Sequence, residues 1–352
     1  MCACRNRAAL LATLWLLAGS ESAAQPQPIV ERVDVARVII DVRVVDDDGR
    51  PIRGLEPDDF EVRIDDEPVR VESALWVGDD AANADPSGVP LESTEFAGFL
   101  EPQDRGQLIV FVVQKSLVHS RAVGLLRLLM HSDRLLARVA PADRVAVLSF
   151  DSHLKIWLDF TDDLDRARTV LADEIMFGRP PVLEPEDEPS LLATLSQDEG
   201  RRTWEIQEAL QLLGEALEPL PGAKSVVLIG YGFGELRVVL GMVGSSLDDR
   251  YVEARQALEA ARASVFTLDV AQADYHTFEH GLQMVAEDTG GFYVRTYRRP
   301  PRRAVDRVAN AMAGRYVLFT ERPDVEPGEY PIEVDVGDLD GTVLARSTYV
   351  AR

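Results

Sequence analysis

Two histidines have a spacing that could bind a metal. His276 and His280 are four residues apart, which brings two imidazoles onto one face of a helix, as in zinc-binding helices. No general-base glutamate and no third ligand stands at a recognised spacing from them. We therefore expect both to be solvated residues at the start of a helix, and we predict no metal there.

A second group of residues could supply a nucleophile. Lys115 and Ser116 are followed closely by His119. Hydrolytic serines work with a base and are commonly found in a Gly-x-Ser-x-Gly turn beside an oxyanion-binding loop, and neither accompanies Ser116. The run Gly230-Tyr231-Gly232 also departs from the dinucleotide-binding pattern Gly-x-Gly-x-x-Gly. The sequence therefore predicts no catalytic residue and a protein that is not an enzyme.

The elements that must position these residues alternate between apolar runs and amphipathic stretches. Residues 108–113 form a continuous apolar run, which is typical of a strand buried on both faces of a parallel sheet. Further strands are predicted at 144–150, 153–160, 224–229, 264–270 and 291–295, and helices at 161–175, 203–217, 249–263, 277–288 and 302–313. This alternation predicts an α/β domain with a doubly wound, mostly parallel sheet over residues 105–314.

Strand patterns also flank this domain on both sides. They lie at residues 33–44, 60–64, 315–320, 330–336 and 342–350. The strand stretches on each side are too few for two independent sandwiches. We therefore predict that the N-terminal segment 25–77 pairs with the C-terminal segment 315–352 in one small β-sandwich. Residues 78–104 lack periodicity and are predicted to be a linker.

The first 24 residues have the pattern of a secretory signal peptide. Two arginines precede an apolar run at residues 8–18, which is too short to span a bilayer as a helix. Small residues at Ser22 and Ala24 suit cleavage before Gln25. We predict an exported, periplasmic or extracellular protein with no membrane insertion after cleavage; a short uncleaved anchor is the alternative.

The charge of the chain argues against two classes of partner, and its cysteine content argues against disulfide bonds. The 352-residue chain has 60 acidic and 37 basic side chains and a formal charge of −23. Nucleic acids and anionic membranes bind clustered cations, so we predict neither as a partner. Both cysteines, Cys2 and Cys4, lie in the predicted signal. The exported chain therefore has no disulfide, and packing or metal must stabilise it.

Six phrases follow one another in a specific order between residues 33 and 350. They read VRVVDDDGRPIRGLEPDDFEVRIDDEPVRVES, ADRVAVLSFDSHLKIWLDFTDD, GAKSVVLIGYGFGE, ASVFTLDV, LQMVAEDTGGFYVRT and GRYVLFT. In this order they resemble the bacterial secreted VWFA-related domain family, whose central domain is a von Willebrand factor A (VWA) domain. The resemblance implies a VWA- or Rossmann-like doubly wound sheet.

The resemblance also implies the place of a metal-ion-dependent adhesion site. In that site an Asp-x-Ser-x-Ser motif, a loop threonine and a further aspartate bind Mg²⁺, which leaves one position open for a partner's carboxylate. The matching positions here, with the lysine between the first two, are Gln114, Lys115, Ser116, Val118, Thr203 and Tyr231. None of them offers a carboxylate. We therefore predict a degenerate adhesion site that holds no metal and needs no cofactor.

These observations predict a non-enzymatic protein–protein interaction module that binds an unknown protein partner. Lys115, Ser116, Thr203 and Tyr231 would form a polar platform at the carboxyl ends of the central strands. In the alternative interpretation the site is unused, and Tyr231 only fills space. A metal-dependent adhesin is the second functional class, and a hydrolase is the third.

Overall fold

The computed structural model describes residues 37–78, 106–185, 189–239, 242–247, 249–297, 300–337 and 339–351. The predicted signal peptide and almost all of the predicted linker lie outside the described residues. Among the described helices, none combines the length and the apolar character needed to cross a membrane.

The strands and helices follow the predicted alternation. In chain order the strands are β1 (Arg37–Val45), β2 (Phe60–Ile64), β3 (Glu67–Val69), β4 (Val71–Gly78), β5 (Leu108–Gln114), β6 (Arg144–Phe150), β7 (Leu154–Thr161), β8 (Lys224–Gly230), β9 (Glu235–Val239), β10 (Met242–Ser246), β11 (Ala263–Asp269), β12 (Tyr293–Arg295), β13 (Gly314–Glu321), β14 (Gly328–Val336), β15 (Thr342–Ala345) and β16 (Thr348–Ala351). The helices are α1 (His119–Leu129), α2 (Ser132–Leu135), α3 (Leu164–Thr169), α4 (Gln197–Gly200), α5 (Ile206–Leu217), α6 (Asp249–Ala260), α7 (Glu279–Asp288) and α8 (Pro301–Met312). The hairpin of β9 and β10 was not predicted.

A six-stranded sheet forms the centre of the fold, with the order β12-β11-β8-β5-β6-β7. Five strands are parallel, and β7 is an antiparallel edge strand. Numbered by their appearance in the chain, these strands have the doubly wound order 3-2-1-4-5-6. The prediction of a doubly wound, mostly parallel sheet is therefore confirmed. The strand order reverses between β5 and β8, and ligands of such sheets bind at the carboxyl ends of the strands there.

Both faces of the central sheet are covered because its strands are apolar on both sides. Phe111 of β5 joins the apolar cluster that contains side chains of α1 and α8. Its neighbour Val112 joins the opposite cluster, with side chains of α5 and α6. This two-sided burial explains why the sequence of β5 is continuously apolar rather than alternating.

The two ends of the described chain meet in two four-stranded antiparallel sheets. Their orders are β15-β1-β13-β4 and β16-β14-β2-β3. In the first sheet β1 pairs with both β13 and β15, and in the second β2 pairs with β14. One apolar cluster contains side chains from both sheets, including Ile40 of β1 and Ile64 of β2. Strands from before and after the α/β domain thus share one core.

Buried charges connect β1 to the amino ends of the central strands. Arg43 is 1% exposed. It donates hydrogen bonds to the hydroxyls of Ser264 at 2.8 Å and Ser225 at 3.0 Å. Asp41 accepts hydrogen bonds from Nε of Arg262 at 2.9 Å and from Nε of Arg315 at 3.0 Å. These bonds fix the flanking sheet against the α/β domain.

Candidate functional site

The site begins at Gln114, the last residue of β5, which lies where the adhesion-site aspartate was expected. Its side chain is buried, and its Oε1 accepts hydrogen bonds from the backbone N–H groups of Tyr231 at 3.0 Å and Gly232 at 3.1 Å. Its Nε2 donates to the Gly232 carbonyl at 3.1 Å. Gly230 allows this approach, because a Cβ there would lie 2.4 Å from the same Oε1. Gln114 therefore holds the loop after β8 rather than facing a partner.

Lys115 starts the loop after β5 and lies beside the carboxylate of Asp151, which is not among the predicted site residues. Its Nζ is 3.9 Å from Oδ2 of Asp151 and 5.5 Å from the centroid of the Trp157 ring. Asp151 follows β6 and accepts hydrogen bonds from Nζ of Lys155 at 2.6 and 2.7 Å. Burial lowers the pKa of Lys115, and the negative charge of Asp151 opposes that effect. Two ammonium groups thus surround this carboxylate.

Asp151 stays ionised because of these neighbours. Burial raises its pKa, but hydrogen bonds from Lys155 and Ser152 outweigh burial and hold the pKa below its usual value. The signal that could have identified this carboxylate is its position directly after a predicted strand.

The next residues present apolar side chains to solvent. The Ser116 hydroxyl accepts a hydrogen bond from the Val118 backbone N–H at 3.2 Å, which shapes the turn into α1. Leu117 is fully exposed, and Val118 is half exposed. Among the described residues, no hydrogen bond joins Ser116 to His119. The loop therefore presents leucine and valine rather than a nucleophile–base pair.

Thr203 is bonded to its own neighbourhood instead of to the other predicted residues. Its hydroxyl accepts a hydrogen bond from the Leu154 N–H at 3.0 Å and donates one to the Gly200 carbonyl at 2.8 Å. The side chain is buried, and it joins the start of β7 to the turn after α4. The next residue, Trp204, is 77% exposed. At this loop the exposed group is thus the indole.

Tyr231 forms the centre of the site together with Arg121 from the first turn of α1. The Arg121 guanidinium carbon lies 4.0 Å from the centroid of the Tyr231 ring and 5.8 Å from that of Phe278. Burial raises the pKa of Tyr231, whereas the charge of Arg121 acts to lower it. No carboxylate among the described residues forms an ion pair with Arg121. The aromatic rings therefore hold the Arg121 guanidinium in place, and its N–H groups can bind an anion.

These residues continue along one edge of the sheet. Leu117 follows β5, Tyr231 follows β8, and Tyr275 follows β11. Trp204 follows Thr203, whose hydroxyl is bonded to Leu154. Leu154 in turn pairs with Phe150, the last residue of β6. We call Leu117, Val118, Arg121, Trp204, Tyr231 and Tyr275 the carboxyl-edge surface. Leu117, Trp204 and Tyr275 are largely in solvent. Val118 is half exposed, and Arg121 and Tyr231 are partly exposed.

A second polar cluster lies at the ends of β11 and β12. His276 Nε2 lies 2.9 Å from Oδ2 of Asp269, and the Tyr293 hydroxyl donates to the same oxygen at 2.8 Å. Asp269 is fully buried, and the His276 side chain is 16% exposed. The expectation that His276 is simply a solvated histidine was therefore wrong. A group that could hold a metal joins His276 with Asp269 and Glu279 and does not include His280.

Comparisons with known proteins find similarity only to solved structures, at low identity. No family model matches the chain, and no curated protein matches it. An aerotolerance-related membrane protein from Bacteroides fragilis aligns at 16% identity over 58% of this chain and 99% of its own, with a TM-score of 0.39. A von Willebrand factor type A structure from Catenulispora acidiphila aligns at 9% identity over 91% of this chain and 74% of its own, with a TM-score of 0.40.

A third solved structure, the conserved hypothetical protein BatB from Bacteroides thetaiotaomicron, aligns at 16% identity over 59% of this chain and 98% of its own, with a TM-score of 0.35. The strand order of the central sheet is the doubly wound order that the resemblance implied. The chain has a doubly wound α/β fold. Its α/β domain carries polar and apolar side chains at the edge of the sheet where the resemblance placed an adhesion site.

Proposed function

We propose that this chain is a non-enzymatic protein-interaction module whose VWA-like domain binds its partner through the carboxyl-edge surface. One observation carries this proposal: exposed Leu117, Trp204 and Tyr275 accompany an Arg121 guanidinium that has no carboxylate partner among the described residues. Tryptophan, tyrosine and arginine are the residues that most often anchor protein interfaces. Exposed apolar side chains grouped around fixed polar groups mark interaction sites on soluble proteins.

We propose further that binding at this edge needs no metal. The position expected to carry the first aspartate holds Gln114, whose amide makes three hydrogen bonds to the loop after β8. The carboxylate beside Lys115, that of Asp151, is bonded to Lys155 and lies 3.9 Å from Lys115. A divalent cation placed there would be repelled by both ammonium groups. A metal-dependent adhesin would need ligands that these residues do not supply.

The chemistry of Arg121 specifies one feature of the partner. A guanidinium presents its donors in a fork that matches a carboxylate, and stacking on Tyr231 fixes its plane. The partner therefore presents an acidic group next to apolar side chains that contact Leu117 and Trp204. In this interpretation Arg121 provides the positive charge that a metal would otherwise provide.

We also propose the finer organisation of the chain. The two antiparallel sheets, built from strands within residues 37–78 and 314–351, form one small β-sandwich, and their common apolar cluster supports this. Residues 1–24 act as a signal peptide that directs the protein to the periplasm or beyond the cell. N-terminal sequencing of the protein from its native source tests the second statement, since cleavage leaves Gln25 as the first residue.

The experiment that tests the interaction is affinity capture from the native envelope fraction, followed by binding measurements with the captured protein. The wild type is compared with Arg121→Ala and with Arg127→Ala, a control at an exposed position in the last turn of the same helix. We expect Arg127→Ala to bind as the wild type does, in EDTA as well as in Mg²⁺, and Arg121→Ala to bind at least about tenfold more weakly. Equal binding by all three proteins would refute the role of Arg121.

A further inference from the structure

We propose that Asp269, His276, Glu279 and Tyr293 form a structural Zn²⁺ site at the carboxyl end of β11, beside β12 and the start of α7. This site is independent of the proposed protein interaction, which requires no metal. The residues come from three elements: Asp269 ends β11, Glu279 begins α7, and Tyr293 begins β12, while His276 lies in the loop before α7.

The donor atoms already have nearly the separations that Zn²⁺ requires. His276 Nε2 is 2.9 Å from Asp269 Oδ2, and the Tyr293 hydroxyl is 2.8 Å from that oxygen and 3.4 Å from Glu279 Oε2. The nitrogen and the two carboxylate oxygens all lie within 4.8 Å of one another. A tetrahedral Zn²⁺ with bonds of about 2.05 Å has ligands separated by about 3.3 Å. Small side-chain rotations would therefore complete the site.

The types of ligand favour zinc over magnesium. Imidazole nitrogen combined with carboxylate oxygen suits Zn²⁺ and neighbouring transition metals, whereas Mg²⁺ prefers oxygen ligands in an octahedron and retains water. Asp269 is fully buried, and its hydrogen bonds come from His276, Tyr293 and the backbone N–H of Ala271, none of which is a permanent cation. A bound Zn²⁺ would supply the charge that a buried carboxylate otherwise lacks.

Neighbouring groups hold the carboxylate ligands in place, as is usual around metal sites. The Ala271 N–H donates to Oδ1 of Asp269 at 2.8 Å, which leaves Oδ2 directed to the other donors. Arg295 donates to Oε2 of Glu279 at 2.7 Å, and its guanidinium lies 4.7 Å from the ring centroid of Tyr275. Among the described residues, Oε1 of Glu279 makes no hydrogen bond. Arg295 thus holds Glu279 in place, and Oε2 of Glu279, which lies 3.4 Å from the Tyr293 hydroxyl, remains within reach of the metal.

Four protein ligands make this a closed site, which is typical of structural rather than catalytic zinc. The metal would tie the loop containing Tyr275 to both α7 and the sheet. It would thereby stabilise a protein whose only two cysteines lie within its first four residues. The inferred role is to stabilise the fold at this end of the central sheet.

The test is titration of the metal-free protein with Zn²⁺ by calorimetry and with Co²⁺ by visible absorption. We expect one metal per chain, the intense visible bands of four-coordinate Co²⁺, and a rise in the unfolding temperature with Zn²⁺ but not with Mg²⁺. His276→Gln and Glu279→Gln should each weaken Zn²⁺ binding by at least about 100-fold. His280→Gln is the matched control and should bind as the wild type does.

Two results would overturn the proposal: absence of stoichiometric Zn²⁺ binding to the wild type, or equal binding by His276→Gln. Thermal unfolding without metal establishes whether each variant is folded. If His276→Gln fails to fold, Tyr293→Phe is tested in its place. This variant retains three ligands, so it should bind Zn²⁺ about tenfold more weakly and give an altered Co²⁺ spectrum. An unchanged spectrum in that variant would remove Tyr293 from the site.

Discussion

The amino and carboxyl ends of the central strands use charge in opposite ways. At the amino ends Arg43 is buried against Ser225 and Ser264, and Asp41 is bonded to two further arginines. At the carboxyl ends Arg121 stacks on Tyr231 and pairs with no described carboxylate. Charges at the amino ends therefore hold the flanking sheet in place, whereas the Arg121 guanidinium at the carboxyl ends remains accessible to a partner. This difference predicts which substitutions affect folding and which affect binding.

The largest effect on stability is expected for Asp41→Asn. Burial raises the pKa of Asp41, but Arg262 and Arg315 outweigh burial and hold the pKa far below its usual value. Loss of this carboxylate leaves buried arginines without their partner, which costs about 3–5 kcal/mol in the free energy of unfolding. Urea denaturation measures the loss. Asp58→Asn, at an exposed position, is the control and should change stability by less than about 0.5 kcal/mol.

The second effect is a dependence of stability on pH that arises from Glu259. Burial raises its pKa to about 7, although Arg255 acts to lower it. In the unfolded chain a glutamate loses its proton at about pH 4.3. Between about pH 4 and pH 7 the folded state therefore binds one proton more than the unfolded state. The free energy of unfolding should therefore fall across this range, by on the order of 3 kcal/mol, and then level off.

Glu259→Gln should remove this pH dependence and should make the protein more stable than the wild type at pH 8. Denaturation of both proteins at pH 5 and pH 8 measures the difference. A wild type whose stability rises over this range relative to the variant would contradict the assignment.

A smaller loss is expected for Gln114→Ala at the carboxyl ends. The substitution leaves the Tyr231 and Gly232 N–H groups without their acceptor, which costs about 1–3 kcal/mol. Thermal unfolding measures this loss. Gln114 itself is buried and cannot contact a partner. Any decrease in partner binding should therefore come only from displacement of the loop after β8. A variant with unchanged stability but no partner binding would instead make Gln114 a contact residue.

The smallest effect on stability is expected for Trp204→Ser. The indole is largely exposed, so the free energy of unfolding should change by less than about 0.5 kcal/mol. Partner binding should nevertheless weaken, because a tryptophan anchor is lost. A destabilised variant would show that the indole packs within the fold, contrary to its assignment to the carboxyl-edge surface.

Local sequence was sufficient to predict the central sheet. A strand that is buried on both faces of a sheet is continuously apolar, as β5 is at residues 108–113. This pattern and the alternation of strands with helices can be read from each segment's own sequence. β1 shows where such patterns mislead. Arg43 alternates with Val42 and Val44 as an exposed arginine would, but that face of β1 is covered by the amino ends of β8 and β11.

The site was less predictable because its contacts join residues far apart in the chain. Gln114 bonds to a loop 117 residues away, and nothing near position 114 indicates that its amide is buried there. The stacking of Arg121 on Tyr231 likewise depends on the tertiary fold, because these residues are far apart in the sequence. His276 was assigned from its spacing to His280, whereas its actual partner is Asp269, seven residues earlier at the end of a strand.

The most direct test of the proposed function measures binding of the captured partner to the wild type and to a Lys115→Ala/Tyr231→Ala variant, each in Mg²⁺ and in EDTA. The proposed function predicts equal affinity of the wild type in both solutions and a loss of at least about tenfold in the variant. Binding that requires Mg²⁺, or a variant that binds as tightly as the wild type, would contradict a metal-independent interaction through the carboxyl ends of the central strands.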